Sequence, residues 1–309
     1  MSKTVVEEYE LYGGEVKLQF LPNSHTYKID GDKKIGVTTI TGIINKEALM
    51  LWPLDEATRF LQTNLLVKGQ LDNQAVLWSN EELAKLIEES KLAFRKKQLR
   101  GTDAGTKAHD YLEHWLKYVN GKQQTLEETL TITSEFQLSE MDANSDEYIR
   151  LTDENHLCEA IDEFKRWYKN HDVEVIDLER IVYSREYDYC GKFDALLRID
   201  GKVFVVDFKT SNPSREFQSG IYPENYAQTG GYDIALTEEF PNIKIDGHAI
   251  INLSKKTGKL AIDYSFDRQE NRDFFLYTLG TKRGMQFHTR RLSAKYKENV
   301  GAKKKLQAD

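Results

Sequence analysis

Residues 191–210 read Gly-Lys-Phe-Asp-Ala-Leu-Leu-Arg-Ile-Asp-Gly-Lys-Val-Phe-Val-Val-Asp-Phe-Lys-Thr. Two apolar, strand-like runs flank Asp200-Gly201, a dipeptide suited to a two-residue hairpin turn. Such a turn pairs Ile199 with Lys202 and sets Asp194 opposite Asp207, with Cβ atoms about 4.5–5.5 Å apart. Lys209 lies two residues beyond Asp207, on the same strand face. Two carboxylates and an ammonium thus converge on one patch. Opposed like charges destabilise a sheet, and a divalent cation between them supplies the reason for keeping them. Mg²⁺ prefers oxygen donors, retains waters and takes one or two carboxylates plus a substrate phosphate. It can activate a water and neutralise charge at a phosphorus centre. Lys209 can position that water or stabilise the developing charge. The alternative is a surface hairpin with scattered charges, which the apolar spacing disfavours; a bulge would shift the pairing by one residue.

The elements around this window follow from periodicity and turn signals. Residues 16–40 read as short strands with turns near Asn23-Ser24 and Asp30-Gly31. Helices are expected over 47–66 and 81–98, the second with Leu83, Leu86, Ile87 and Phe94 on one face. Gly101–Thr106 reads as a break, followed by a helix to about Val119 with Ala108, Leu112, Trp115, Leu116 and Val119 inward. After Gly121 comes an acidic, mostly irregular stretch, then a helix over 157–169. Strands are expected at Glu179–Tyr187, Lys192–Ile199, Lys202–Thr210, Gly247–Leu253 and Lys259–Tyr264, with helices at Glu224–Phe240 and 270–287. That order predicts an α/β core with one mixed sheet and helices on its faces.

The chain has 309 residues and a net charge of −7, which at first opposes a nucleic-acid partner. The charge is unevenly placed. From Lys282 onward the sum is +7, so residues 1–281 carry −14. Twelve carboxylates and one cation, Arg150, lie between Thr125 and Glu163, while Lys91, Arg95, Lys96, Lys97 and Arg100 form a basic run. Such runs are solvated helix faces, tails, or tracks for a polyanion. The only cysteines, Cys158 and Cys190, cannot make a four-thiolate zinc or iron–sulfur site. There is no Walker A pattern, no apolar run of membrane-spanning length, and no apolar leader at Met1–Glu8.

Gly191-x-x-Asp194 and Asp207-x-Lys209-Thr210-Ser211 resemble the PD-(D/E)XK nuclease superfamily, with Phe193 where the name-giving proline would stand. Gly105-Thr106-x-x-His109 upstream and Gln228-x-x-x-Tyr232 downstream resemble its RecB-like exonuclease branch. His25-x-Tyr27, Val37–Ile40 and Leu51-Trp52 are similar to the start of phage-borne and mitochondrial-maintenance members. The resemblance implies a restriction-endonuclease-like α/β core with a helical N-terminal elaboration. It makes Asp194, Asp207, His109 and the Phe208 carbonyl metal ligands, Lys209 the catalytic lysine and Glu186 a supporting acid. Gln228, Tyr232, Thr210, Ser211 and the basic residues Arg95, Lys96, Lys97 and Arg100 would meet DNA. Glu113, one turn after His109, either fixes the imidazole or is an ordinary solvent residue. Tyr187, Tyr222 and Tyr226 are candidate stacking platforms.

The expectation is a single nuclease domain over 1–309: N-terminal strands and helices 1–100, a histidine helix 101–120, an acidic insertion 121–160, a catalytic core 161–287 and a basic tail 288–309. Its activity would be Mg²⁺-dependent DNA exonuclease, with Mn²⁺ as a substitute, and without an iron–sulfur cluster or ATP site. The expected setting is DNA replication, recombination or repair, of phage type, in a bacterial or phage-infected cytoplasm, with mitochondria as the lesser alternative. A separate recombinase, helicase or single-strand-binding protein would be the partner, and no membrane. The rivals are a structure-specific or restriction-like endonuclease and a non-catalytic binding protein on the same scaffold.

Overall fold

Asp200 and Gly201 both take positive φ, +49° and +81°, as the tight turn requires. They join β6 (Tyr189–Ile199) to β7 (Lys202–Lys209), and the pairing runs from Ile199↔Lys202 to Ala195↔Val206. This hairpin is the centre of a nine-stranded mixed sheet. A computed structural model describes residues 5–44, 47–70, 78–126, 130, 132–141 and 145–306. The N-terminal strands β1 (Glu7–Leu11), β2 (Val16–Leu21), β3 (Thr26–Ile29) and β4 (Asp32–Gly36) form an antiparallel meander. β1 precedes the strands that the sequence pattern predicts over 16–40. β5 (Val173–Ser184) pairs antiparallel with β6, β8 (Gly247–Leu253) parallel with β7, and β9 (Leu260–Ser265) antiparallel with β8.

Helices cover both faces of the sheet. One face packs α3 (Asn80–Val119) and α5 (Asp146–Asn170), through Ala108, Leu112, Leu116, Leu157 and Phe164, onto Ala195, Leu197, Val206 and Ile251. The other packs α1 (Val37–Thr41), α6 (Pro223–Glu239) and α7 (Arg268–Leu306), through Val37, Ile40, Tyr232, Leu236 and Phe275, onto Phe193, Leu196 and Val205. The remaining helices are α2 (Glu47–Gln70), which packs on α3, and the short α4 (Glu135–Ser139). Among the described residues no helix is long and apolar enough to cross a membrane.

Four expectations change here. The break at Gly101–Thr106 does not form: α3 runs unbroken for 40 residues, started by a Ser79 capping box. Ile87 and Val119, expected inward, are exposed. The acidic stretch yields to α5 from Asp146, whose buried Glu154 accepts from Lys107 (2.7 Å) and Arg150 (2.7 Å) and so ties α5 to α3. The basic tail, expected beyond a helix ending at 287, is as far as Leu306 a continuation of α7.

Candidate active site

The site lies where the sheet opens. Along one edge of β6, β5 pairs from Tyr189 to Ile199. The opposite edge takes β4 at Tyr189 and Cys190 and β7 only from Ala195 onward. The ends of β4 and β7 therefore face each other across residues 191–194, which have no registered strand partner on that edge. β5 and β6 also roll over together here. Leu178 and Ala195 pair on the α3 side, whereas the next registered pair, Arg180 and Phe193, packs toward α6. Glu179, between them, has φ +54°, a left-handed conformation that non-glycine residues seldom adopt.

Asp194 stands at that roll-over. Its Oδ2 accepts from the Phe208 backbone N–H at 2.7 Å, taking over where the β6–β7 ladder stops. Asp207, fully buried, follows Val206 on β7 and points to α6. Its Oδ1 accepts from Gln228 Nε2 at 2.8 Å. Its Oδ2 is paired with the Lys209 ammonium. Gln228 Nε2 also meets the Tyr232 hydroxyl (2.9 Å), and Lys209 Nζ reaches Gln228 Oε1 (3.3 Å). From α3, His109 Nδ1 lies 3.9 Å from Asp194 Oδ2, with 34% of the His109 side chain still open to solvent.

Burial raises the pKa of both aspartates, the Lys209 charge opposes the rise, and Asp194 adds repulsion at Asp207. Burial and the Lys209 charge push His109 down to about 4, so its imidazole is neutral at pH 7. Burial, reinforced by Asp194, pushes Glu179 up to about 7, against the pull of its ion-pair partner Lys192.

Two glycines permit this convergence. A Cβ on Gly191 would lie 2.7 Å from the Tyr232 ring and 2.9 Å from Val37 Cγ2. A Cβ on Gly105 would lie 2.7 Å from Thr210 Oγ1, so α3 can cross the end of β7 closely only without a side chain there.

The structure thus gathers His109, Asp194, Asp207, Phe208, Lys209 and Gln228. It does not bring Glu186 to them. Glu186 is exposed on the turn joining β5 and β6, where its backbone N–H donates to Glu238 (3.3 Å). Glu179 is the acid on β5 that stands by Asp194. Tyr232 is 2% exposed and holds Gln228 from within, so it offers no surface to DNA. Glu113 ion-pairs with Lys117, one turn on. The Ser211 backbone is bound inward to Asn252. Tyr187 sits on the turn beside Glu186, its carbonyl bonded to Arg283, whereas Tyr226 bonds Asp263 and Tyr222 bonds the Asn212 carbonyl (3.1 Å). The side chains of Trp52, Arg95, Lys96, Lys97 and Arg100 lie outside the described residues, although their backbone belongs to α2 and α3.

Among the described residues no three His, Cys, Asp or Glu side chains are gathered closely enough to hold an ion by themselves. The donor set is the aspartate pair. It fits a hard divalent cation, which takes one or two carboxylates and fills the rest of its sphere with water and phosphate oxygens. Asp207 Oδ2, buried with the Lys209 ammonium as its one close partner, is the oxygen of that set nearest the lysine.

Comparison with known proteins agrees with this chemistry. No curated protein matches the chain. Among solved structures, one described as the crystal structure of SSO0001 is 16% identical over 57% of this chain and 74% of its own, with a TM-score of 0.24. A likeness that slight adds no argument. The family model of the PD-(D/E)XK nuclease superfamily matches residues 78–291, well over half of the chain and all of the residues gathered at the site. The chain belongs to the PD-(D/E)XK nuclease superfamily.

Proposed function

We propose that the protein is a divalent-metal-dependent deoxyribonuclease, of the RecB-like branch and exonucleolytic. The carrying observation is the pairing of buried Asp207 with part-buried Asp194 at the parted strand ends, with the Lys209 ammonium against Asp207. Asp194 and Asp207 would hold the cation, and His109, its Nδ1 3.9 Å from Asp194 Oδ2 and its imidazole neutral, would be a further ligand. When bound, the ion supplies Lewis-acid stabilisation of the phosphate and a more acidic water. Lys209, steadied by Gln228, holds the attacking water and bears part of the charge that develops on the phosphate. Gln228 and Tyr232 fix Asp207 from the α6 side. The basic run at 95–100 precedes His109 on the same unbroken helix, the backbone of Arg100 lying about 14 Å away along the axis. The exonuclease assignment rests on the ordered motifs His109, Asp194, Asp207-x-Lys209 and Gln228-x-x-x-Tyr232.

The test is digestion of end-labelled linear DNA and closed circular DNA, single- and double-stranded, with Mg²⁺ or Mn²⁺. Linear DNA should be consumed from its ends while circles persist. Cutting of circles would make the protein an endonuclease, and digestion of neither would remove the nuclease reading.

A further inference from the structure

The chain leaves the site at Lys209 and returns to it at Gln228, and the segment between these residues is built as a rigid ledge. Asn252 on β8, fully buried, clamps both ends of it. Its Oδ1 accepts from the Ser211 N–H (2.8 Å), and its Nδ2 donates to the carbonyls of Ser211 (3.1 Å) and Ser219 (2.8 Å). Gly220 closes the loop at φ +71°, where a Cβ would lie 2.5 Å from Asn252 Nδ2 and 2.9 Å from the Ser211 carbonyl oxygen. Inside the loop, Ser214 N–H donates to the Phe217 carbonyl, Phe217 N–H returns a bond to Ser214 Oγ, and Gly220 N–H donates to the Phe217 carbonyl, each at 3.0 Å. The Tyr222 hydroxyl spans the loop to the Asn212 carbonyl (3.1 Å). Backbone ordered this thoroughly holds its side chains at little further entropic cost on binding.

Two kinds of side chain stand on the ledge. Phe217 and Tyr222, both half-buried, pack ring against ring with centroids 5.1 Å apart. Arg215 is exposed and makes no ion pair among the described residues, even with its neighbour Glu216. An aromatic pair and a free guanidinium, beyond the carboxyl end of the strand that carries Asp207 and Lys209, match the two halves of a nucleotide. One is a flat base and the other an anionic phosphate.

We propose that residues 211–222 form a binding ledge for an unpaired nucleotide next to the scissile phosphate. Phe217, backed by Tyr222, stacks on the base, Arg215 pairs with a flanking phosphate, and Asn252 is the positioning residue that holds the ledge. This rests on the nuclease reading and adds to it a preference for single-stranded ends.

The experiment measures anisotropy of labelled single-stranded and blunt duplex oligonucleotides across a salt series. It uses the full chain with Asp207→Asn to prevent digestion. Arg215→Ala should lower the slope of log affinity against log salt by about 0.7, one phosphate of a single strand. Phe217→Ala should weaken single-strand binding about tenfold at unchanged slope, spare the blunt duplex, and be rescued by Phe217→Tyr. Arg215 is exposed, and Phe217 enters the loop's hydrogen bonds only through its backbone, so both substitutions leave the clamp intact. If the wild-type chain digests DNA yet both variants bind with parental affinity and slope, the ledge is wrong and the nuclease reading stands. Equal loss on both substrates overturns the stacking assignment. A wild-type chain that neither cuts nor binds removes the underlying reading.

Discussion

Two buried aspartates touch α6 and are treated in opposite ways. Asp233, on α6 itself, is over-supplied with partners. Its Oδ2 meets His248 Nε2, Arg268 Nε and Arg272 Nε, each at 3.0 Å, and its Oδ1 meets Arg268 Nη2 (2.8 Å) and Arg272 Nη2 (2.9 Å). Those bonds outweigh burial and hold its carboxyl well below the usual range. Asp207 has one hydrogen bond and one ion pair, and its carboxyl is held above the usual range. Burial is similar at both sites, so the difference lies in the partners. A carboxylate that ties α6 to α7 and β8 is satisfied within the chain. A buried carboxylate with one ion pair and one hydrogen bond keeps a raised pKa, and it is the one proposed above to take a cation.

The comparison is sharpest where activity and stability separate. Asp207→Ala or Lys209→Ala should cut nuclease activity by roughly 10⁴, about 5 kcal/mol in the barrier. Asp207→Ala should leave Tm unchanged or raise it, because it removes a buried, repelled carboxylate; a large fall in Tm would place Asp207 with Asp233. Asp233→Ala should do the reverse and destabilise the fold by about 3–5 kcal/mol in urea unfolding, because two arginines and a histidine lose their anion. The Asp233 carboxyl is depressed in the fold, so the unfolded chain takes up the proton first. Its contribution is therefore complete above about pH 4, the unfolded aspartate value, and declines as pH falls further. An Asp233→Asn variant should lack that acid limb in a pH series of unfolding midpoints.

Smaller effects test the packing that brings the site together. Gly191→Ala places a methyl group against the Tyr232 ring and Val37, and should cost about 1–3 kcal/mol while shifting Gln228 off Asp207. It should therefore reduce kcat more than it raises KM. Smallest of all, Glu186→Gln should change stability by no more than about 0.5 kcal/mol and leave digestion intact. Glu179→Gln, beside Asp194, should alter the pH–rate profile.

The hairpin was legible because Asp200-Gly201 admits few turns, and its register carried Asp194 and Asp207 to the same place. β8 was legible from its apolar run, and α6 from its length and flanks. Other features were set by tertiary contact. Gly101–Thr106 reads as a break because glycine weakens a helix, yet Gly105 serves a close approach to Thr210 that only the fold reveals. Glu186 follows from the resemblance, as the acidic residue before Gly191. The turn at Arg185–Asp188, with Asp188 at φ +44°, folds β5 back so that Glu179 faces Asp194 instead. Tyr232 shares a helix face with Gln228, as its spacing requires, but that face is turned into the core.

The most direct test of the account is thermal unfolding of the wild-type chain and of Asp207→Asn over a series of Mg²⁺ and Mn²⁺ concentrations. A cation bound to the folded state alone raises Tm in step with its concentration. The account predicts a rise for the wild-type chain and none for Asp207→Asn, with Asp233→Asn starting lower and rising as the wild type does. An equal rise in wild type and Asp207→Asn, or no rise in either, would contradict the claim that Asp194 and Asp207 are held short of partners for a divalent ion.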